Sequence, residues 1–169
     1  CDWHGLDTLA ARLRNRVAAS ASGISPFAFL AEDTSATEQL HCARTHAQAI
    51  ERQAAPLRAQ RRVRKIVGDG TLRLGFVANG FGKHPTALLV AALFEALRAH
   101  DVRVHLYSTA PDDRSPMLQR LRSTAHVWHD ASAMTPAILA DAIDSDAIDI
   151  LLDLDGYCSG AMPLAFALR

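Results

Sequence analysis

The sequence predicts an α/β fold in which a parallel sheet is flanked by helices and preceded by a helical segment. Three observations predict it. Short apolar runs alternate with helical segments through brief connections, the pattern of strand–helix–strand units. The period changes abruptly at Gly68-Asp69-Gly70, from helical spacing before it to strand-like runs after it. Hydrophobic residues make up 49% of the 169 and charged residues 21%, enough to bury a real core and unlike a disordered chain.

The elements follow in order. Leu6, Leu9, Ala10, Leu13 and Val17 form one apolar stripe at helical spacing. Ser20 to Pro26 breaks it, and Phe27, Phe29 and Leu30 form a short apolar plug. A second amphipathic helix carries Leu40, Ala43, Ala47, Ile50 and Ala54 on one face and ends near Pro56. Arg58, Arg61, Arg62, Arg64 and Lys65 then form a basic run, read as a solvated face or linker in preference to a phosphate or RNA site. Leu72 to Ala78 reads as a buried parallel strand. Thr86 to Ala99 is a helix apolar nearly all round, as buried helices are. Val102–Tyr107 is a strand, Pro116–Ser123 a helix and His126–His129 a short strand. Pro136–Ser145 is a helix, Ile148–Leu154 a strand, and Met162–Leu168 the start of a last helix.

Charge excludes some functions. Lys+Arg and Asp+Glu both number 18. A general nucleic-acid or membrane-surface binder would need a basic excess, so no nucleic-acid and no membrane partner is expected. The balance hides a split: ten basic and seven acidic groups lie in residues 1–70, eight and eleven in residues 71–169. No stretch reaches the ~20 apolar residues of a membrane span, and none resembles a signal peptide. Cys1, Cys42 and Cys158 lie far apart, which disfavours a disulfide framework or a zinc site and fits reduced thiols in a cytoplasm. The chain opens at Cys1-Asp2-Trp3 without Met and stops at Ala167-Leu168-Arg169, as though cut from something longer.

In open α/β sheets ligands bind at the carboxyl ends of the strands. The first strand ends in Asn79-Gly80-Phe81-Gly82-Lys83-His84-Pro85-Thr86. The glycines allow a tight turn and close approach of a ligand. Pro85 suits the first helical position, which places His84 at the N-cap, where free N–H groups make an anion site. A helix N-terminus favours an uncharged imidazole, able to accept a proton or hydrogen-bond a ligand hydroxyl. Gly80-x-Gly82-x-x-Pro85 lacks the third glycine of a dinucleotide fingerprint, and the second strand ends without an acidic ribose ligand, so an NAD site is not expected. His41 and His46 lie five apart on a helix and do not share a face. His126 and His129 read as structural, and Asp141 to Asp149 as mostly solvated. Asp153 and Asp155 alternate to one side at a strand end beside Gly156-Tyr157, but no metal site is expected.

Leu72-Arg73-Leu74-Gly75-Phe76-Val77 followed by Phe81-Gly82-Lys83-His84-Pro85-Thr86 resembles the start of the catalytic region of O-linked N-acetylglucosamine transferases. The likeness continues through Tyr107-Ser108-Thr109-Ala110-Pro111-Asp112-Asp113, Ile148 to Tyr157, and Phe166-Ala167-Leu168-Arg169. Cys1-Asp2-Trp3 resembles the passage from that family's helical repeats into linker helices. Gly80 stands where eukaryotic members usually have an acidic residue, and Asp153 and Asp155 where they tend to have Asn. With the Ala- and Arg-rich composition this points to a bacterial-type relative.

The resemblance implies residues 1–66 as a helical linker joining upstream repeats to the catalytic region. It implies residues 67–169 as the Rossmann-like N-terminal lobe of a GT-B glycosyltransferase, whose C-terminal lobe holds most nucleotide contacts. It implies inverting, metal-independent transfer of N-acetylglucosamine from UDP-GlcNAc to Ser or Thr of a protein or peptide, with no cofactor. His84 matches the family's cleft histidine, Gly82, Pro85 and Thr86 shape the wall around it, and Gly156 and Tyr157 line the same cleft. The alternatives are a receiver-like signalling domain with Asp153 or Asp155 as phosphoacceptor, or a scaffold that docks partners through residues 1–66. The first needs an acidic pair at the end of the first strand, where Ala78-Asn79-Gly80 stands.

Overall fold

A computed structural model describes residues 4–61 and 70–169. Cys1 to Trp3, most of the basic run and the Gly68-Asp69 part of the turn lie outside the described residues. The chain forms two compact units, Cys1–Pro56 and Leu57–Arg169.

The first unit is helical, with α1 (Leu6–Ala18), α2 (Pro26–Phe29) and the body of α3 (Ala36–Arg58). Val17, Phe29 and Cys42 form its small core, with Leu13 and Ile24 packed against them. Of the apolar plug only Phe29 is buried, while Phe27 and Leu30 face solvent. A four-residue helix has room to turn one large side chain inward. Ser35 starts α3 with a reciprocal cap: its Oγ accepts from Glu38 N–H, and the Glu38 carboxylate accepts from Ser35 N–H at 2.8 Å. Pro56 lies inside α3, two residues before its end. Cys42 is buried, which pushes its thiol up and keeps it protonated.

The second unit holds the sheet. Its strands are β1 (Leu72–Ala78), β2 (Val102–Ser108), β3 (Val127–Asp130) and β4 (Ile150–Asp153). All pair in parallel in the order β3-β2-β1-β4. Between them run α4 (Pro85–Leu97), α5 (Pro116–Thr124) and α6 (Pro136–Ser145), and α7 (Pro163–Ala167) follows β4. Alternation along β1 and β2 divides two cores. Phe76, Ala78, Val104 and Leu106 pack with Ala87, Ala91 and Phe94 of α4 and Leu121 of α5. Val77 and Tyr107 point the other way, among Leu139 and Ile143 of α6 and Ala165 of α7.

Two expectations need correction. The strand read over Ile148–Leu154 is shorter, although Asp149 N–H and Leu154 N–H still bond to carbonyls of Arg73 and Val77. The apolar helix α4 buries one side only. Leu88, Leu89 and Leu93 are exposed, Leu89 at 81%, because a helix on a sheet has one face to cover however apolar its sequence.

The basic run is partly visible. Arg61 pairs with Asp141 and Asp144 and donates to Ala137 O, and Arg58 donates to Ala167 O. These two arginines tie chain segments of the second unit together, as structural groups do.

Candidate functional site

Five helices, four of them in the sheet unit, share a sequence device. Pro26, Pro85, Pro116, Pro136 and Pro163 all stand in the first turn, where a missing N–H costs nothing. The residue before each proline is the cap. Ser25, Ser115 and Thr135 cap α2, α5 and α6 with a hydroxyl oxygen. At α4 the cap is His84, whose Nδ1 accepts from Thr86 N–H at 3.2 Å.

That bond fixes the imidazole's chemistry. A ring nitrogen that accepts an N–H carries a lone pair, so the proton of the neutral ring is on Nε2. A Cβ added at Gly80 would lie 2.4 Å from His84 Nδ1. The Nδ1 edge therefore rests on the loop backbone and Nε2–H is turned away from it. Gly80 and Gly82 both keep ordinary backbone conformations among the described residues. The tight turn expected from the sequence is present, closed by His84 N–H on Gly82 O at 2.8 Å, and the glycines serve it by allowing close approach.

Two carboxylates brace this loop from either side. Asp155, 7% exposed, accepts from Asn79 N–H at 2.8 Å, at the loop's start. Burial pushes the Asp155 carboxyl up, against the opposing effect of the Asn79 bond. Asp113 accepts from Lys83 N–H at 2.7 Å with Oδ2 and from Ser115 N–H at 2.9 Å with Oδ1. Those bonds, that from Lys83 foremost, hold its carboxyl below the usual range. A Cβ at Gly82 would fall 2.2 Å from Asp113 Oδ2, so the carboxylate lies directly on that glycine. Asn79 also donates from Nδ2 to Ser159 O at 2.5 Å, joining the β1–α4 loop to the β4–α7 loop.

Gly82 and His84 line an open pocket of about 150 Å³ with Asn79, Lys83, Ser108 and Asp113. Pro85 and Thr86 form the first turn of α4 beside it. Gly156 adopts a left-handed conformation (φ 56°), and its N–H, with that of Asp155, bonds to Asp153 Oδ1. Tyr157 follows on the exposed part of that loop. The bracing contacts of Asn79, Asp113 and Asp155 join residues distant in sequence and leave no local pattern. The Pro111-Asp112-Asp113 turn after β2 is the nearest sequence signal.

One further polar cluster lies on the opposite face of the sheet. Asp146 Oδ2 accepts from Tyr107 Oη at 2.6 Å and bonds to His129 Nε2 at 2.6 Å and His105 Nδ1 at 3.2 Å. This corrects the reading of Asp141–Asp149 as mostly solvated, because the C-cap of α6 sets Asp146 over β2 and β3. Burial works to raise the Asp146 carboxyl. The Tyr107 bond, the attraction to His129 and the imidazole bonds outweigh it and hold the carboxyl below its ordinary range. Burial lowers His105 and raises Tyr107.

Among the described residues, His105, His129 and Asp146 are the one grouping close enough to hold a metal ion. The proton count disfavours that use. Ligation through His105 Nδ1 would send its proton to Nε2, which is buried without a partner. As built, the three donors satisfy one carboxylate oxygen.

A family model described as glycosyl transferase family 41 matches residues 35–169. The chain belongs to glycosyltransferase family 41. It is 35% identical over 107 residues to the probable UDP-N-acetylglucosamine–peptide N-acetylglucosaminyltransferase SEC of Arabidopsis thaliana, a match covering 63% of this chain and 11% of that protein. It is 31% identical over 99 residues to the UDP-N-acetylglucosamine–peptide N-acetylglucosaminyltransferase of Caenorhabditis elegans, covering 58% and 9%. The chain thus spans about a tenth of the length of these curated relatives. A mutant O-GlcNAc transferase of Thermobaculum terrenum shares the fold, with TM-score 0.58 and 22% identity over 79% of this chain and 31% of that one. The Rossmann-like parallel sheet with flanking helices is therefore both the expected and the observed architecture, and the family is the one the sequence resembles.

Proposed function

We propose that this chain forms the N-terminal wall of the cleft of an inverting protein O-GlcNAc transferase. The reaction moves N-acetylglucosamine from UDP-GlcNAc to a Ser or Thr hydroxyl without a metal or other cofactor. The protein carrying the chain would act in the cytoplasm, with a second lobe holding the nucleotide and helical repeats upstream. The observation that carries this reading is His84 at the N-cap of α4, on the carboxyl edge of the sheet, in a chain of family 41.

The attacking hydroxyl must lose a proton and the leaving diphosphate must be stabilised. With Nδ1 engaged by Thr86 N–H, His84 offers Nε2–H as a donor. The role this supports is orienting a substrate oxygen, in preference to taking the hydroxyl proton. Gly82, Pro85 and Thr86 would shape the wall, and Gly156 and Tyr157 would extend it.

Two variants separate the roles. His84→Ala in the full protein lowers kcat/KM by about 100-fold, the typical loss of one oriented donor. His84→Asn keeps an oxygen to cap α4 and an amide N–H to donate, so it retains much more activity than alanine. Equal inactivity of both variants in a transfer assay would favour a base, and normal turnover of His84→Ala would remove His84 from the mechanism. A second expectation is that this chain by itself transfers no sugar, since one wall does not enclose a donor. Measurable turnover by the purified chain would overturn it.

A further inference from the structure

The β1–α4 loop reaches His84 from Asn79 through a stretch with two glycines, which do little to fix a backbone. Yet His84 must arrive with its ring on Gly80 and its Nδ1 on Thr86 N–H. Asp113 grips the Gly82–Lys83 peptide, one peptide upstream of the histidine. Its Oδ2 takes Lys83 N–H at 2.7 Å while Oδ1 takes Ser115 N–H, the cap residue of α5. Ser115 is buried, so this anchor is set in the body of the lobe. The carboxylate thus spans from a fixed helix start to the Gly82–Lys83 peptide, and the next N–H, that of His84, turns back onto Gly82 O at 2.8 Å. Gly82 leaves the space it needs, since any side-chain carbon there would overlap it at 2.2 Å.

We infer that Asp113 is a positioning residue for His84, clamping the Lys83 peptide to the start of α5, with Gly82 bare because the clamp occupies its side-chain space. Asp113 acts through His84 and does no chemistry itself. The inference rests on the proposed role of His84 in sugar transfer. Two N–H groups on one carboxylate also explain why an acid is used: an asparagine has one carbonyl oxygen to offer two donors.

A double-mutant cycle in the full-length transferase tests it. Asp113→Ala lowers kcat about tenfold or more with the KM for UDP-GlcNAc within about twofold, and Asp113→Asn recovers part of the loss. Gly82→Ala, which keeps the carboxylate but evicts it, behaves like Asp113→Ala. In a His84→Ala background the further loss from Asp113→Ala shrinks to less than about twofold, because the residue it positions is gone. A crystal structure of the Asp113→Ala protein gives a readout independent of turnover: the His84 ring is displaced and its bond to Thr86 N–H is lost.

Wild-type kcat in Asp113→Ala, a full additional loss in the His84→Ala background, or an unmoved His84 ring would each overturn the clamp. Normal turnover of His84→Ala would instead overturn the proposed function. The crystal structure would then still decide whether Asp113 holds the ring.

Discussion

Two histidine–carboxylate neighbourhoods share one sheet and solve opposite problems. At the carboxyl edge, Asp113 and Asp155 spend their hydrogen bonds on backbone N–H groups and leave the His84 ring exposed. On the α6 face, Asp146 takes Tyr107, His105 and His129 on a single oxygen, and Tyr107 stacks on His129 with ring centres 4.8 Å apart. The first arrangement fixes a backbone and presents a side chain. The second consumes its side chains and ties β2, β3 and the end of α6 together. A histidine beside a carboxylate is therefore no guide to function until the carboxylate's other partners are known.

The sharpest way to break the comparison is to remove the central group from each side. Asp146→Ala leaves a buried phenol and two imidazoles without their acceptor and should destabilise the lobe by about 3–5 kcal/mol. Hydrogen exchange of β2, β3 and α6 amides in the full protein reads that loss locally. His84→Ala removes only a cap and should cost about 1 kcal/mol by the same measurement, despite its larger effect on turnover. Similar losses at the two positions would erase the distinction.

Acid should act on Asp155 and on the Asp146 cluster with opposite sign. His105 is lowered from 6.5 and Asp146 from 3.8, so the unfolded chain takes up these protons first. Their contribution is complete above those unfolded values and falls away as pH drops through the folded ones. Protection of β2 and β3 should therefore decline from about pH 6.5 downward. Asp155 is raised from 3.8, so the folded state takes up its proton first, and the stability this gives is lost as pH rises through its folded value. Asp155→Asn keeps an acceptor for Asn79 N–H and removes a buried charge. It should leave stability at neutral pH within about 1 kcal/mol of the wild type, or raise it. A loss of several kcal/mol would show that the charge itself is needed there.

Much of the first region was legible in the sequence because its signals are local. Pro85 marks the start of α4, so His84 had to be its cap, and Pro116 and Pro136 place α5 and α6 in the same way. The Asp146 cluster was illegible because its bonds span 17 to 41 residues and depend on which strands become neighbours. Helical periodicity overstated burial in α4 for a related reason. Leu88, Leu89 and Leu93 satisfy any apolar pattern, but the sheet offers a surface to one side only. The braces at Asp113 and Asp155 fell between these cases: the acidic residues were visible, but their backbone partners lie about 30 and 76 residues away.

The imidazole cap on α4 has a thermodynamic consequence. A free histidine on a glycine-bearing loop would sample many orientations, and fixing it on contact with a ligand would weaken binding by about 0.5–1.5 kcal/mol. Here the ring is ordered when the helix forms, so that entropy is lost during folding. An incoming oxygen then meets a donor already aimed, which corresponds to an affinity gain of roughly two- to tenfold with no new contact.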